Sequence, residues 1–181
     1  MRKLLYLSIA VLVLLLSACG VKSNSISKVD IGVINVHTKE KVSYGMTRSE
    51  VEKVLGKGEK IGDDTMFSYE DGLSIIYKND QLIGIMLSNS SEGIFETVRG
   101  IKVGMLASEV LNLYGSENNI SAESKILQFI YEANSGKFLK AYPKTSEEIK
   151  AAQIYMYDSF IDDNQYIFSV SLVDESALVD Q

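Results

Sequence analysis

One segment of the chain occurs twice, and this repetition limits the possible folds more than any other feature. The sequence YGMTRSEVEKVLG at residues 44–56 is followed by VGMLASEVLNLYG at residues 103–115. Of the twelve aligned pairs from Gly45/Gly104 to Gly56/Gly115, all offset by 59 positions, six are identical. A match this dense predicts that the chain builds the same short unit twice.

Each copy of the segment has the apolar spacing of a short amphipathic helix. Three apolar residues lie at positions i, i+3 and i+4, which places their side chains on one helical face. They are Val51, Val54 and Leu55 in the first copy and Val110, Leu113 and Tyr114 in the second. We therefore expect one helix per copy, with a single buried face.

The helix ends carry recognisable signals. Thr47 and Glu50 have the spacing of a capping box, in which a hydroxyl and a carboxylate satisfy amides at the helix start. The second copy has Leu106 in place of the threonine, so we expect that hydroxyl cap to be missing. Gly56 and Gly115 lie where a residue of positive φ ends a helix at little cost.

After each helix the apolar period changes from 3.6 to 2. The stretches FSYEDG at 67–72 and FIYEANSG at 129–136 alternate and then reach a glycine, which predicts a strand and a turn. Residues 73–87 and 153–172 each contain two apolar stretches around an Asn/Asp turn, and we interpret both as hairpins. The second copy also holds extra residues, of which 145–152 are predicted to form a short helix.

The predicted fold class is α+β, with two tandem repeats at residues 29–91 and 92–181. Each repeat is expected to pack a short helical element on an antiparallel sheet, because an apolar stripe and an apolar sheet face must be buried against each other. The motif G-M-x-x-S-E-V-x-x-x-x-G followed by short strands resembles the beta-lactamase inhibitor protein fold and the small lipoproteins of the outer-membrane assembly machinery. The phrase RGIKVGM at 99–105 also resembles one in lipoproteins of Gram-positive bacteria.

This resemblance implies an architecture and does not by itself imply a function. Members of that superfamily bind different proteins or have no known partner, and the secreted inhibitors use disulfides. The present chain has one cysteine, Cys19, so neither the inhibitors' loop structure nor their inhibitory residues are transferred to it. Fold resemblance alone licenses no function.

The first residues have the layout of a bacterial lipoprotein signal. Arg2 and Lys3 precede an apolar run at 4–16, which is shorter than the roughly 20 residues of a spanning helix. The following Leu-Ser-Ala-Cys resembles a lipobox, which implies removal of residues 1–18 and acylation of Cys19 with fatty acids such as palmitate. Residues 19–28 are small and polar and are expected to be a flexible tether. The alternative is an ordinary secretory signal with an incidental cysteine.

Charge argues against one class of partner. The chain has 18 basic and 24 acidic residues, and removing Arg2 and Lys3 with the signal leaves a net charge of −8. This disfavours nucleic acid and anionic lipid headgroups as partners. We therefore expect contact with the cell membrane through the lipid anchor, with the body on the extracytoplasmic side.

Familiar catalytic and metal-binding patterns do not occur in the sequence. His37 is the only histidine, and no nucleophile elbow, phosphate loop or zinc motif is present. The pairs Asp63/Asp64 and Asp162/Asp163 lack the spacing of a calcium loop and are interpreted as solvated turns. Glu50 and Glu109 lie in first helical turns, where they complement the helix dipole. We expect no enzyme activity, no cofactor and no metal.

Tyrosines and phenylalanines recur two residues apart along the predicted strands, so that both rings of a pair share one sheet face. One alternative is that these faces pack under the helices. The other is that Tyr69, Tyr131, Tyr155 and Tyr157 form a protein-binding surface, since tyrosine is common in interface hot spots. Two functions follow: a surface-tethered module that binds another envelope protein, or a structural or assembly accessory subunit of an envelope complex.

Overall fold

The computed structural model describes residues 25–62 and 65–179. Within them, four α-helices and two antiparallel sheets form the α+β fold predicted from the sequence. The small sheet consists of β1 (Gly32–Asn35), β2 (Lys41–Ser43) and β7 (Phe95–Thr97). The large sheet contains β3 (Glu59–Lys60), β4 (Met66–Ser68), β5 (Leu73–Lys78), β6 (Gln81–Leu87), β8 (Ile126–Glu132), β9 (Lys137–Phe138), β10 (Ile154–Ile161) and β11 (Ile167–Asp174). The helices are α1 (Arg48–Leu55), α2 (Ala107–Tyr114), α3 (Ser146–Ala152) and α4 (Glu175–Leu178).

The large sheet has the order β3-β4-β5-β6-β11-β10-β8-β9, so that strands from residues 29–91 and 92–181 make one continuous sheet. Its centre is the antiparallel pairing of β6 with β11, where Leu87 lies opposite Val170. Both predicted hairpins are present, β5–β6 and β10–β11. The first turns at Asn79 and Asp80, whose φ angles of 50° and 62° belong to the tight turn that suits a twisted hairpin.

Helices α1 and α2 begin 59 residues apart in the sequence and also end 59 residues apart. Thr47 caps α1 as predicted, accepting a hydrogen bond from the Glu50 amide at 3.3 Å, and Glu50 Oε2 accepts from the Thr47 amide at 2.8 Å. In α2 only the carboxylate half of this box is present: Glu109 Oε2 accepts from the Leu106 amide at 2.9 Å. One surviving hydrogen bond is enough to start α2 at the equivalent residue, despite the missing hydroxyl.

Helices α1 and α2 lie on one face of the large sheet, called here the inner face. Val51, Val110 and Tyr114 are completely buried there and belong to a single core cluster with residues of β4, β5, β6, β8, β10 and β11. The predicted apolar stripes are therefore the buried faces of these helices. Because one core serves both helices, the segments 29–91 and 92–181 are not independent domains.

The small sheet also joins the two segments. Val33 of β1 pairs with Val42 of β2 on one side and with Thr97 of β7 on the other. The strand that precedes α2 therefore completes a sheet begun before α1. This pairing crosses the boundary at residue 91 that the repeat suggested.

The structure contradicts the C-terminal end of the predicted tether at residues 19–28. Ile26 is 1% exposed and belongs to the core, and Lys28 begins a short 3₁₀ helix. Asp30 Oδ1 accepts a hydrogen bond from Arg99 Nε at 3.0 Å, and the Arg99 guanidinium also donates to the backbone oxygen of Ser25. Residues 25–28 are thus part of the folded body, because an apolar side chain and a mostly buried ion pair hold them there. Cys19 and the predicted signal lie outside the described residues.

The opposite, outer face of the large sheet is only partly covered. Helix α3, which matches the predicted helix at 145–152, packs Ile149 against Ile130 and Ile154. Helix α4 contributes Ala177 and Leu178 to a cluster with buried residues of β5, β6 and β11. Both covers lie toward one end of the sheet strands and leave other outer-face residues in contact with solvent.

Candidate protein-binding surface

The four tyrosines predicted as a binding surface are all in the interior. Tyr69, Tyr131, Tyr155 and Tyr157 are at most 7% exposed, and all belong to the core under α1 and α2. The prediction that they form an exposed surface is therefore wrong, and the alternative that their strand face packs under the helices describes the structure. The two-residue spacing identified a common face but contained no signal for which face was covered.

Their surroundings explain the burial. The Tyr69 and Tyr77 hydroxyls are 2.6 Å apart, and the Tyr69 ring lies so close to Gly58 that a Cβ there would meet it at 2.7 Å. The Tyr157 ring centroid is 5.1 Å from that of Tyr114 in α2. Burial raises the pKa of Tyr157 well above its usual value, so that its hydroxyl stays neutral in water.

Exposed apolar side chains instead cluster at the other end of the outer face. Leu106, Phe160, Tyr166 and Phe168 are each 39–45% exposed. The rings of Phe160 and Phe168 are 6.1 Å apart, and Leu106 and Tyr166 are paired across an isolated β-bridge. These four residues are called the aromatic patch. Contiguous exposed apolar residues of this kind are typical of interaction sites.

A row of mostly polar residues crosses the outer face beside the aromatic patch. Strand register aligns Gln128 with Asp158, Asp158 with Ser171, Ser171 with Met86, and Met86 with Ser74. This row spans five strands between the cover formed by α3 and α4 and the aromatic patch. It gives the outer face an apolar end beside a polar strip, as in the core and rim of many interfaces.

Two carboxylates on the outer face have unusual electrostatics. Burial raises the pKa of Asp158, whose Oδ1 is inaccessible and accepts no hydrogen bond. Burial also raises the pKa of Glu175, with a smaller contribution from Asp158, while a hydrogen bond from Tyr142 at 3.0 Å opposes the shift. Perturbed carboxylates on a partly open surface are typical of functional sites, although structural clusters produce them too.

A cleft of about 330 Å³ lies next to the aromatic patch. It is bounded by the turn after β6, the strand-like segment before α2 and the first residues of β11. Its lining residues include two aromatic ones, Tyr166 and Phe168, and two acidic ones, Glu92 and Asp162. The cleft therefore combines apolar rings with negative charge.

A second, polar cavity of about 290 Å³ lies where the N-terminal segment meets α4. Asp174 is buried there, and its Oδ2 accepts from the Tyr44 hydroxyl at 2.8 Å and lies 3.9 Å from Lys28 Nζ. Its Oδ1 accepts from the Ala177 amide at 3.2 Å, which starts α4. These contacts already assign Asp174 a structural role, because it joins the N-terminal segment to the C-terminal helix.

The remaining sequence candidates lie apart from one another. His37 is exposed in the turn between β1 and β2, and its amide donates to Asn35 Oδ1 at 2.9 Å. Asp162 and Asp163 lie in the β10–β11 turn, where Lys125 pairs with Asp163 at 2.5 Å. Asp63 and Asp64 lie outside the described residues. Among residues 25–62 and 65–179, no group of three or more His, Cys, Asp or Glu side chains is arranged to hold a metal ion.

None of the four residues of the aromatic patch is among the tyrosines predicted to form the surface, although Tyr166 and Phe168 have the same two-residue spacing. The one feature of the sequence that could have indicated their exposure is their position along the hairpin. Tyr166 and Phe168 follow the polar turn directly, at the strand end farthest from the C-terminal residues that continue β11 into α4. Exposure there depends on the tertiary position of α4, which no local pattern encodes.

The chain was compared with protein-family models, curated proteins and solved structures, and none of them matches it. No helix in the described part of the chain is long and apolar enough to cross a membrane.

Proposed function

We propose that the protein is a lipid-anchored module of the bacterial cell envelope that binds another protein through the outer face of its large sheet. The observation that carries this proposal is the aromatic patch, which exposes three aromatic rings and a leucine in one place. Such residues are costly to leave in water and are the usual anchors of an interface.

The position of the N-terminal segment supports this arrangement. Ile26 packs into the core shared with α1 and α2, and Arg99 holds Ser25 beside them. The chain therefore enters the body at the core shared by α1 and α2, and a lipid on Cys19 would tether the body to the bilayer from that side of the N-terminal segment. From Cys19 to Ser25 the chain can span at most about 20 Å.

A tandem duplication is part of the same proposal. Helices α1 and α2 have equal lengths, and the Gly45 and Gly104 amides donate to Leu82 and Ile167 over the same distance, 2.8 Å. These matched contacts support two copies of one unit, as in the superfamily that the sequence resembles.

Site-specific photocrosslinking in cells tests the binding surface. A photoreactive phenylalanine analogue at position 160 should capture a partner protein. The matched control is the same analogue at Ile61, which is 38% exposed, against 39% for Phe160, but follows edge strand β3. Equal capture of the same protein from both positions would contradict the assignment of the surface, as would the absence of any protein adduct at position 160.

Lipidation has a separate test. Cys19→Ala should abolish labelling by a clickable fatty acid, because the chain contains no other cysteine. Labelling that persists in the variant would exclude the proposed anchor.

An accessory subunit of an envelope complex is the second candidate, because α3 and α4 leave a surface whose apolar end resembles a permanent interface. Purification in mild detergent distinguishes the two. A stoichiometric complex that survives purification supports the accessory role, and a partner captured only by crosslinking supports the binding module.

A further inference from the structure

We propose that the cleft beside the aromatic patch binds a cationic side chain, arginine or lysine, of the partner protein. This inference rests on the proposed function and names the chemistry of the partner. The cleft has about 330 Å³ of space, at the lower end of the range for pockets that hold small ligands. This volume is sufficient for one arginine or lysine side chain.

Two carboxylates give the cleft its charge. Asp162 is held in place because its Oδ1 accepts from the amides of Asn164 and Tyr166 at 2.9 and 2.8 Å, and Glu92 is exposed and also lines the cleft. No lysine or arginine is among the described residues that line the cleft. A cation supplied by a partner would gain charge-assisted hydrogen bonds with these two carboxylates.

The aromatic rings suit the same ligand. Tyr166 and Phe168 line the cleft while remaining 45% exposed, and the face of an aromatic ring attracts a cation. The chain makes such contacts elsewhere: the Arg48 guanidinium lies 4.7 Å from the centre of the Phe67 ring. The exposed rings beside the cleft offer this interaction to a partner.

Long-range electrostatics favour a basic partner. Residues 19–181 carry a net charge of −8, which attracts cationic surfaces and repels acidic ones. The apolar residues of the aromatic patch border the cleft and would exclude water from the ion pair once a partner is bound. Charge and apolar contact therefore act at the same place.

The test uses two peptides and the full-length lipidated chain in nanodiscs. The probes are acetylated and amidated Gly-Arg-Gly and its citrulline counterpart, which has nearly the same shape without the charge. Fluorine NMR of protein labelled with 3-fluorotyrosine reports on Tyr166, whose resonance is assigned with Tyr166→Phe. We expect the arginine peptide to shift this resonance saturably, and the citrulline peptide to bind at least about tenfold more weakly.

The matched variants separate the cleft from general charge. Glu92→Gln combined with Asp162→Asn should remove the preference for arginine, whereas Glu59→Gln combined with Glu123→Gln changes the net charge equally and should retain it. Equal binding of both peptides, no saturable shift with either, or equal loss in both double variants would overturn the inference. If crosslinking at position 160 still captures a partner in that case, the proposed function stands and only the cationic ligand is wrong.

Discussion

The two hairpins of the large sheet have the same backbone plan but different outer faces. Both contain a register shift close to the turn, between Ile76 and Tyr77 in β5 and between Phe160 and Ile161 in β10. Ile76 and Phe160 are therefore equivalent. Ile76 is buried, whereas Phe160 is exposed.

The second strands differ in the same way. The Leu82 amide donates a hydrogen bond to the Met46 carbonyl, and the Ile167 amide donates to the Met105 carbonyl in the same way. The next outer-face residues, Ile83 and Phe168, therefore have matching positions. Ile83 is buried with Ile76 beneath α4, and Phe168 is exposed next to Phe160. The first hairpin is thus covered and the second open, and what differs is the presence of a helix over the first.

This comparison explains why exposed apolar residues persist in the second hairpin. In the first, the equivalent positions are apolar because they form a core with Ala177 and Leu178. In the second, phenylalanines occupy these positions although nothing in the described part of the chain buries them fully. Larger rings at an uncovered position increase the surface that a partner could bury, which is the basis of the proposed binding role.

The largest expected effect tests whether the helices of the two halves are equivalent. Val51→Asp and Val110→Asp each place a charge in the core, because both residues are completely buried. Each should lower the free energy of unfolding by several kcal/mol, on the order of 3–5. Urea denaturation of the full chain provides the measurement.

The matched controls are Ser49→Asp and Ser108→Asp, exposed positions in the first turns of the same helices. These changes should leave the unfolding midpoint nearly unchanged, because an acidic residue near a helix N-terminus is favourable. A large loss at only one of the two valines would show that the helices do not contribute equally.

Much of the inner architecture could be predicted from the sequence because it depends on local patterns. The apolar spacing around Val51 and Val110, the cap formed by Thr47 and the turn at Asn79 all involve residues within one or two helical turns. In contrast, the pairing of Leu87 with Val170 joins positions 83 residues apart, and no local signal specifies it. Burial of Ile26 depends on long-range packing in the same way.

The candidate surface could not be predicted for a related reason. Alternation along β10 showed that Tyr155 and Tyr157 share one face and Phe160 the other, but it did not show which face lies under the helices. Both faces of this strand are apolar, so hydrophobicity did not discriminate between them. The positions of α3 and α4 determine which outer-face residues stay exposed.

A second prediction compares the covered and open hairpins directly. Ile76→Ala removes buried methyl groups and should destabilise the fold by about 2–4 kcal/mol. Phe160→Ala removes a larger side chain from an exposed position and should cost about 1 kcal/mol or less. Urea midpoints of the two variants give the comparison. If Phe160→Ala were as costly as Ile76→Ala, Phe160 would belong to the core and not to a binding surface.

The third prediction concerns Asp158, whose equivalent in the first hairpin is Ser74. Burial raises the pKa of Asp158 in the folded state, so its contribution to stability is present below the unfolded pKa and is lost as pH rises through the folded pKa. Asp158→Ser should therefore stabilise the protein relative to the parent at pH 7, and this gain should shrink as pH falls toward 3.

Asp163→Asn is the control, because its pKa is shifted in the opposite direction to that of Asp158. A hydrogen bond from Lys125 lowers the pKa of Asp163, so its contribution is present above the unfolded pKa and is lost as pH falls through the folded pKa. This variant should be slightly less stable than the parent at neutral pH and equal to it at low pH. Denaturant midpoints between pH 3 and 7 measure both variants, and a gain for Asp158→Ser that is independent of pH would contradict the electrostatic explanation.

The smallest effects come from the helix caps, where Thr47 supplies a side-chain hydroxyl and Leu106 does not. Thr47→Ala removes the hydroxyl that accepts from the Glu50 amide and should cost about 1 kcal/mol. Leu106→Thr supplies the missing hydroxyl next to Glu109, whose carboxylate already accepts from the amide of residue 106, and should stabilise the fold by about 0.5–1 kcal/mol.

Leu106 is also part of the aromatic patch, so the same change should weaken partner capture in the crosslinking experiment while raising the unfolding midpoint. A higher unfolding midpoint together with weaker capture would show that Leu106 serves binding and not folding. A Leu106→Thr variant that is less stable than the parent would instead show that this leucine contributes to the fold.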